Sequence, residues 1–420
     1  MAGFSARERM IAAMLSSMPG LKKTVKNVYV RLNAFLYRKP YRSKVAGGMG
    51  QIHLIEPEDS NTETFFGYYD KACERNGMLI YHRTTGQPTS KKPIASQDVE
   101  IVLRDMESGT DTVIGKTYSY NWQQGARTQW LDDRHVIYNI AREGRYYAVI
   151  RDIEFGDEEY LEYPVQDVLA DGRYLSINYS RIMRLRPDYG YRNYPLPSDR
   201  EMAHMDGDGI FIVSPSEKNG RLLHSLSSIA SVAPKPIFGR CHHVVNHLMG
   251  RPDGKAFIFI HRFYEGKRRH DRLMYSDFHS LRILADEDMV SHCCWIDNSH
   301  VLGYLRHNGT DAFYVIDVES GVIQRHEAMS SLNLGDGHPS VSSSHIAFDT
   351  YPDKSRMQHL FLLGKIDKTV REIAEVHHSI NYMDECRCDM HPRFSADGRR
   401  LYFDTVFTGR RRLAYLDIEE

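Results

Sequence analysis

Histidine recurs at four points in the second half of the chain, each time in the polar lead-in to an apolar segment. The four residues are His247, His292, His338 and His391. A neutral imidazole can accept a proton from a substrate, and it is a frequent ligand of Zn, Mn or Fe. The pattern predicts a general base, with His247 as the first candidate, and a divalent metal (Mn or Zn) on His292 and His338. The alternative is structural: His338 and His391 each precede a proline and could simply hydrogen-bond a neighbouring turn.

Other polar side chains occupy corresponding points in the chain and are candidates for holding a substrate. They are Asp70, Gln124, Arg127, Asn178, His242, Asn246 and Arg387. Lys71 is a second candidate base, because an amine can also take a proton from carbon. Tyr69 and His391 are candidate acids that would protonate a leaving oxygen. The alternative for the segment from Tyr68 to Lys71 is a solvated loop around one buried aromatic ring.

Three arginines follow each other closely in a segment, roughly 181–207, that is rich in Arg, Tyr and Pro. Arg181, Arg184 and Arg186 offer bidentate hydrogen-bond donors, and Tyr189 beside them offers a flat surface. This combination predicts binding of an anionic group such as a carboxylate. A long loop inside a compact repeat is usually functional. The alternative is a solvent-exposed face.

A repeated pattern of a turn followed by an apolar strand must position these residues. The turns are Arg75-Asn76-Gly77, Leu131-Asp132-Asp133, Ala170-Asp171-Gly172, Pro252-Asp253-Gly254, Ile296-Asp297-Asn298, Ser342-Ser343-Ser344 and Ala396-Asp397-Gly398. Asn-Gly and Asp-Gly supply the positive φ angles of tight hairpins, and a second hairpin follows in the next part of the unit. Seven such units predict an all-β fold, a seven-bladed β-propeller at residues 51–420.

The innermost strand of a propeller blade begins near the central axis. The polar residues that precede these strands are therefore expected to converge at one mouth of the channel. The last unit has only three strands, and residues 51–57 form a spare strand-like segment before the first blade. We expect this segment to complete the last blade, which leaves no open sheet edge in the ring.

Composition excludes several classes of function. With 41% hydrophobic and 26% charged residues, the chain is typical of a folded protein. No apolar run approaches the roughly 18 residues of a membrane span, and charges interrupt the only signal-like stretch, so a cytoplasmic location is expected. The six cysteines form no regular framework, which suits reduced thiols, although Cys386 and Cys388 leave a C-x-C zinc site open. No phosphate-binding loop and no aromatic-studded basic stripe are found, which disfavours nucleotide chemistry and nucleic-acid binding.

Residues 1–45 differ in charge from the rest of the chain. They carry ten Lys and Arg and a single acid, Glu8, although the whole chain has a net charge of −1. Apolar residues at helical spacing are Met10, Ile11, Met14, Leu15 and Met18. We predict a basic amphipathic helical arm that contacts the inner-membrane surface. The alternative is a helix packed on the side of the propeller.

Several segments form a specific set as a group: FFGYYDK, NWQQGARTQW, INYSRIMRLRPDYGY, NHLMGRPDGKAFIFIHR, MVSH, DGHPSVS with DTYPD, and RCDMHPRFSADGRRLYFDT. Through them, residues 60–420 resemble a bacterial family of propeller proteins that lie among surface-polysaccharide genes and are loosely described as glycosyltransferase-like. That family is similar to propeller lyases that cleave oligogalacturonate and ulvan, and to a propeller enzyme that releases rhamnose from glucuronate. The resemblance implies a uronate-containing glycan, working His, Tyr and Arg residues, and a metal in the oligogalacturonate case. Residues matching positions that hold His in such enzymes are His242, Asn246, His247, His338 and His391, whereas the Gln-x-His metal signature is not found.

These observations favour a carbohydrate-active enzyme that acts on a uronate-containing oligo- or polysaccharide by β-elimination. Arg181, Arg184 or a histidine-bound cation would neutralise the carboxylate and stabilise the enolate-like intermediate. Hydrolysis by paired carboxylates is a variant, with Asp70, Asp336 and Asp389 as candidates. The rival hypothesis is a non-catalytic propeller, binding a glycan or a partner protein in capsule or lipopolysaccharide biosynthesis. The lack of a recognisable secretion signal agrees with the rival.

Overall fold

The computed structural model describes residues 19–418, with side-chain exposure described from residue 24. The chain enters through helix α1 (Pro19–Leu36) and two short strands, β1 (Ser43–Val45) and β2 (His53–Leu54). Within the described range, no helix has both the length and the apolar character needed to cross a bilayer. The apolar residues predicted for the first part of the arm, Met10 to Met18, lie outside the described residues.

Seven antiparallel sheets form the blades, which confirms the predicted seven-bladed β-propeller. Blade 1 contains β3 (Thr64–Phe65), β4 (Glu74–Arg75), β5 (Met78–Thr84), β6 (Val99–Asp105) and β7 (Asp111–Thr117). Blade 2 contains β8 (Gln129–Trp130), β9 (His135–Arg142), β10 (Arg145–Asp152) and β11 (Glu158–Leu161). Blade 3 contains β12 (Asp167–Val168), β13 (Tyr174–Ile177), β14 (Gly209–Ser214) and β15 (Asn219–Ser225).

The remaining blades repeat this arrangement. Blade 4 contains β16 (His242–Gly250), β17 (Phe257–Glu265), β18 (Arg268–Ser276) and β19 (Leu281–Ala285). Blade 5 contains β20 (Val290–Trp295), β21 (His300–His307), β22 (Thr310–Asp317) and β23 (Ile323–Arg325). Blade 6 contains β24 (Ser340–Val341), β25 (His345–Asp349), β26 (Met357–Gly364) and β27 (Val370–His377), and blade 7 contains β28 (Arg393–Phe394), β29 (Arg400–Thr405) and β30 (Arg412–Asp417).

Strands in the middle of the blades are apolar on both faces because each blade packs against two neighbours. In β17 every residue from Phe257 to Phe263 is buried, and Phe257 to Ile260 form an apolar run without the alternation of a half-exposed strand. The hairpin at Asn76-Gly77 has φ values of 50° and 75°, as its Asn-Gly sequence predicts.

The N-terminal strands join the last two blades. β2 pairs with β30, so blade 7 has four strands, and the ring of His53 stacks on Tyr415 at a centroid distance of 4.8 Å. β1 pairs with β27 as a fifth strand of blade 6. Residues 43–45, which the sequence assigned to the arm, therefore belong to the outer edge of a blade.

An insertion between β13 and β14 crosses one mouth of the channel. It contains helices α2 (Tyr179–Leu185) and α3 (Asp199–Ala203), while α4 (Leu226–Ser231) and α5 (Glu327–Ser330) follow blades 3 and 5. Asp188 in the insertion accepts a hydrogen bond from Arg387, just before blade 7, at 3.3 Å. Arg192 pairs with Glu385 in the same region. These contacts hold the insertion above the inner strands.

Candidate functional site

The four predicted histidines meet at the channel axis. Their ring centroids are 6.1 Å apart for His247 and His292, 3.9 Å for His292 and His338, and 4.3 Å for His338 and His391. All four side chains are buried. Four different blades or their lead-ins supply these rings, so their convergence depends on closure of the propeller.

Local irregularities in the inner strands turn these histidines toward the axis. The register of β16 shifts between Asn246 and Met249, and His247 within this bulge has a φ of 51°. A second register shift, between Val290 and Cys293 of β20, contains His292. Bulges redirect side chains in this way and are frequent next to functional sites. A left-handed φ is uncommon for a non-glycine residue, which marks this backbone as strained.

Three side chains at the axis have the geometry of a metal site. Ligand atoms of His338, Asp389 and His391 all lie within 4.8 Å of one another. The Nδ1 atom of His338 donates to Asp349 at 2.8 Å, and Nδ1 of His391 donates to the carbonyl oxygen of Gly67 at 2.6 Å. Their Nε2 atoms are buried and have no hydrogen-bond partner among the described residues. Two oriented imidazole nitrogens and a carboxylate fit a divalent cation such as Mn or Zn.

The charges around this group set its protonation. Burial lowers the pKa of His391 well below the usual value, and the neighbouring His338 adds to the effect. Burial also lowers the pKa of His338, but the Asp349 carboxylate outweighs it, so the pKa is raised overall. Burial raises the pKa of Asp389, yet Arg387, whose Nε lies 2.6 Å away, lowers it overall and keeps the carboxylate charged.

His292 lies beside this group without sharing its ligand geometry. Its Nδ1 atom is 3.2 Å from Asp336, which also accepts a hydrogen bond from Ser291 at 2.5 Å. Burial lowers the pKa of His292, and the next contribution comes from His338. The predicted metal pair of His292 and His338 is therefore replaced by His338, Asp389 and His391.

Tyr68 is the tyrosine that forms a hydrogen bond with the predicted base, His247. Its hydroxyl lies 2.5 Å from Nδ1 of His247, and the two rings stack with an interplanar angle of 10°. Burial keeps the pKa of Tyr68 well above 10, so the phenol stays protonated. Burial and then the neighbouring His292 hold the pKa of His247 well below 6.5, so the imidazole stays neutral. The pair thus combines a proton donor with a proton acceptor.

The loop of blade 1 explains why Tyr68 and Tyr69 differ. Gly67 has a φ of 117°, and a Cβ there would stand 2.7 Å from the backbone of Gln124. The hydroxyl of Tyr69 donates to the carbonyl of Cys293 at 2.9 Å and accepts from its N–H at 3.1 Å. Tyr69 therefore contacts the backbone of blade 5 and has no proton free for a leaving group. The prediction that Tyr69 is the acid is corrected by these contacts.

The insertion and the lead-in to blade 7 complete the wall around His247. The ring of Tyr189 lies edge-on to His247, with centroids 5.0 Å apart. Arg387 reaches Tyr189 and Asp188, and it also pairs with Asp389. Tyr189 therefore lies beside His247, and Arg387 links Tyr189 to the axial carboxylate of Asp389.

A cluster of buried polar side chains lies beside His247, in blade 4 and the insertion. We define it by five residues: Arg186, Asn246, Arg262, Tyr264 and Asp271. Each has buried polar atoms without a hydrogen-bond partner among the described residues. Arg262 Nε lies 3.3 Å from Asp271 Oδ1, and burial raises the pKa of that carboxyl group to about 6. Buried polar atoms without partners are costly, and this mixture of donors and acceptors suits a hydroxylated ligand.

The residues Asp70, Lys71 and Arg127 are placed elsewhere. Arg127 and Asp70 form a buried bidentate pair at 3.0 and 2.9 Å. Lys71 Nζ donates to the carbonyl of Val168 at 2.8 Å and pairs with Asp167 at 3.0 Å. Asp70 and Lys71 line a cavity of about 460 Å³ shared with turns that follow the inner strands, and none of the four histidines lines that cavity. Lys71 is thus removed from the candidate bases, and Arg127 from the substrate contacts.

Four other predicted contacts serve the insertion or the rim. Arg181 is buried and is held by Asp208 and four backbone carbonyls, and Asn178 caps α2. Both line a separate lateral cavity of about 940 Å³. Arg184 contacts Pro197 and Asp199 within the insertion. His242 is partly exposed at the start of β16, 3.8 Å from Asp199.

Gln124 has a structural position as well. It is buried in the turn that carries Arg127, where its backbone N–H donates to Asn121. Its carbonyl accepts from the N–H of Arg127 at 3.1 Å. The neighbouring Gln123 instead reaches the carbonyl of Arg387 at 2.8 Å. The backbone of Gln124 therefore shapes the loop behind Gly67.

Sequence reasoning missed several contributors to the site. Asp349 orients His338, and Tyr351 packs edge-on to the same ring at 5.6 Å. Both lie in the DTYPD segment, where a Tyr between two acids was the available signal. Arg262 and Asp271 lie within central strands of blade 4. Their signal was the presence of charge in a strand that is otherwise apolar.

Comparison with known proteins agrees with the fold. No protein-family model matches the chain, and no curated protein matches it in sequence. An oligogalacturonate lyase solved in complex with manganese is 14% identical with a TM-score of 0.59, covering 91% of this chain and 97% of that protein. The oligogalacturonate lyase of Vibrio parahaemolyticus is 15% identical with a TM-score of 0.59, covering 90% and 97%. The propeller domain of the Trilobed protease from Pyrococcus furiosus is 11% identical with a TM-score of 0.50, covering 84% and 94%. At these identities, the chain shares a propeller fold with lyases and with a protease domain.

Proposed function

We propose that this protein is a carbohydrate-active enzyme that cleaves a uronate-containing glycan by β-elimination. The observation that carries the proposal is the hydrogen-bonded pair of Tyr68 and His247 beside the open Nε2 atoms of His338 and His391. Support at the level of the fold comes from two oligogalacturonate lyases.

The groups that would bind the substrate surround this pair. Arg186 and Arg387 supply positive charge near His247, although Asp188 and Asp389 already pair with them. Asn246 and Tyr264 in the cluster of buried polar side chains offer hydrogen bonds to hydroxyl groups of an adjoining sugar. Tyr189 offers an apolar ring face against which a pyranose can pack.

A divalent cation such as Mn or Zn would be held by Nε2 of His338, Nε2 of His391 and a carboxylate oxygen of Asp389. When bound, it would neutralise the uronate carboxylate and make the neighbouring C5 hydrogen more acidic. Asp349 and Gly67 fix the orientation of the two imidazoles through their Nδ1 atoms.

The residues of the chain then relay protons, with the net transfer of one proton from C5 to the leaving oxygen. Nε2 of His247 accepts the C5 hydrogen as a proton, the C5–H electrons form the C4=C5 double bond, and the C4–O bond breaks. The leaving oxygen takes the proton of the Tyr68 hydroxyl, and Tyr68 regains a proton from Nδ1 of His247. The pair ends neutral, with the imidazole proton on the other nitrogen, so atoms and charge balance.

The test follows the ultraviolet absorbance of the unsaturated uronate while the protein acts on glucuronate- and galacturonate-containing oligosaccharides. We expect the signal to rise and His247→Ala to lower its rate by about a thousandfold, within the range attributed to a general base. Arg184→Ala is the matched control, since the polar contacts of Arg184 with other described residues, Pro197 and Asp199, lie within the insertion; it should retain the rate.

Two results would contradict the proposal. One is a rate retained in His247→Ala when the melting temperature is unchanged. The other is a flat trace with intact glycans by mass spectrometry. A flat trace with measurable glycan binding would favour the rival function, a glycan-binding propeller in capsule or lipopolysaccharide assembly.

A further inference from the structure

The contact between Tyr68 and His247 restricts which uronate can react. We infer that the site selects 4-linked D-glucuronate over its C4 epimer, D-galacturonate; this selectivity rests on the proposed β-elimination. This selectivity depends only on the position of the acid relative to the base. The two groups are joined by a hydrogen bond of 2.5 Å and therefore approach a sugar from the same side.

The two epimers present different faces to such a pair. In D-glucuronate the C5 hydrogen and the C4 oxygen lie on the same face of the pyranose ring. In D-galacturonate they lie on opposite faces, so an acid in contact with the base cannot reach the leaving oxygen. General acid catalysis is worth about 10²–10⁴ in rate, which sets the expected size of the preference.

Neither other residue predicted as an acid can serve the opposite face. The Tyr69 hydroxyl is held by both backbone groups of Cys293. Nδ1 of His391 donates to Gly67, and its Nε2 is the atom assigned to the proposed cation. The hydroxyl group that is hydrogen-bonded to His247 is that of Tyr68.

The experiment compares kcat/KM for a 4-linked glucuronate tetrasaccharide and for tetragalacturonate. Cleavage removes the stereocentres at C4 and C5, so both substrates give the same chromophore. We expect kcat/KM to be at least about 100-fold higher for the glucuronate substrate. Equal or faster cleavage of tetragalacturonate would overturn the epimer selectivity while supporting β-elimination. If neither tetrasaccharide is cleaved, the proposed β-elimination is contradicted as well.

A separate observation concerns helix α1, which exposes a continuous apolar stripe. The stripe consists of Val25, Val28, Leu32, Phe35 and Leu36. Phe35 is 78% exposed and Leu36 is 63% exposed, and the spacing of three or four residues places all five on one helix face. Among residues 24–36, only Asn33 is buried. We propose that this stripe docks on an anionic lipid surface.

Charge decides between lipid and a second copy of the chain. The apolar spacing of the stripe alternates three and four residues, as in a coiled coil. From Arg9 to Ile55, however, the sequence has nine Lys and Arg and no Asp or Glu. Two such helices would repel each other and would have no acidic partners for interhelical ion pairs. The same charge attracts anionic headgroups, at about 1 kcal/mol for each Lys or Arg near the surface.

The exposed cations near the stripe are free for that role. They are Lys26, Arg31, Arg38, Arg42 and Lys44, and none has an ion-pair partner among the described residues. Lys39 is the exception, because it pairs with Glu375 at 2.5 Å and ties the arm to blade 6. The pairing of β1 with β27 continues this attachment. The stripe is thus carried outward from a fixed point on the rim.

The test is sedimentation of the full chain with vesicles of phosphatidylglycerol and phosphatidylethanolamine, and with neutral phosphatidylcholine vesicles. We expect binding to the anionic vesicles, weakening with salt, and a loss of at least about tenfold in Leu32→Glu/Phe35→Glu. Ile366→Glu is the control: Ile366 is 93% exposed but lies on a blade 6 hairpin, and this variant should bind like the parent.

Three results would overturn the docking. They are equal binding to neutral vesicles, unchanged binding in the double variant, and a lipid-free dimer that the double variant converts to a monomer. The last result would assign the stripe to a second copy of the chain. A truncation should end before β1, because removal of residues 43–45 would also remove a strand of blade 6.

Discussion

Within residues 19–418, two groups of side chains have the spacing of a metal site, one at the axis and one on the rim of blade 6. The axial group is His338, Asp389 and His391, and the rim group is His359, Glu372 and Glu375. In the rim group, Nδ1 of His359 bonds Glu372 at 2.7 Å, while Lys39 and Tyr41 bond Glu375.

The two groups differ in what remains unpaired. At the rim, burial lowers the pKa of His359, but the carboxylates of Asp353 and Glu372, which pair with the imidazole, outweigh it and raise the pKa to about 9. At the axis two Nε2 atoms are buried and open. Proximity alone therefore does not distinguish a ligand site from a salt-bridge network; the unpaired atoms do.

The largest expected effect distinguishes two adjacent tyrosines at the axis, one that contacts the proposed base and one that is held by backbone groups. Tyr68→Phe removes the hydroxyl bonded to His247 and should lower kcat by about 100-fold on a cleaved uronate substrate. Tyr69→Phe removes two hydrogen bonds to Cys293 and should retain kcat while losing about 1 kcal/mol of unfolding free energy. Steady-state kinetics and urea unfolding measure both; equal rates in the two variants would reject the role of Tyr68.

A smaller effect is expected for metal binding. Asp389→Asn should weaken Mn or Zn binding by about tenfold or more, because it removes the charged ligand of the axial group. Glu372→Gln is the rim control and should leave metal binding unchanged. Titration calorimetry with metal-stripped protein provides the affinities. Loss of metal binding in Glu372→Gln but not in Asp389→Asn would assign the metal site to the rim group of blade 6.

The smallest effect concerns pH and the rim histidine. The folded protein raises the pKa of His359 from 6.5 to about 9, so it favours the protonated form. The resulting stability is present in full below the unfolded pKa and is lost as the pH rises through about 9. His359→Gln should cost about 1 kcal/mol near pH 6 and almost nothing near pH 10, a modest value for a partly solvated pair. Urea unfolding at both pH values measures this; a larger cost at high pH would contradict the assignment.

The repeated turns and strands were sufficient to predict the propeller, because each blade is a local unit with its own hairpins. The convergence of His247, His292, His338 and His391 also followed, since equivalent positions of the blades meet at the axis. The direction in which individual side chains point could not be predicted from the sequence pattern. Tyr68 and Tyr69 are neighbours in sequence, but the loop at Gly67 sends one to His247 and the other to Cys293.

The arginines were the least predictable part of the site. Their type suggested anion binding, yet Arg127 pairs with Asp70 and Arg181 with Asp208 across segments distant in sequence. Arg186 also has a partner, Asp188, but keeps one guanidinium nitrogen unpaired. Which positive charges are neutralised depends on long-range contacts that composition and spacing do not encode.

The N-terminal strands have a consequence for the order of folding. Ser43 in β1 pairs with Val376, and His53 in β2 pairs with Tyr415. Both strands therefore have partners more than 300 residues later in the sequence. During synthesis they emerge first but gain their hydrogen bonds last, after the other blades have their own strands. Contacts of such sequence separation are slow to form. Closure of the ring is therefore expected to be the late step of folding, and the histidine centre can assemble only once it is complete.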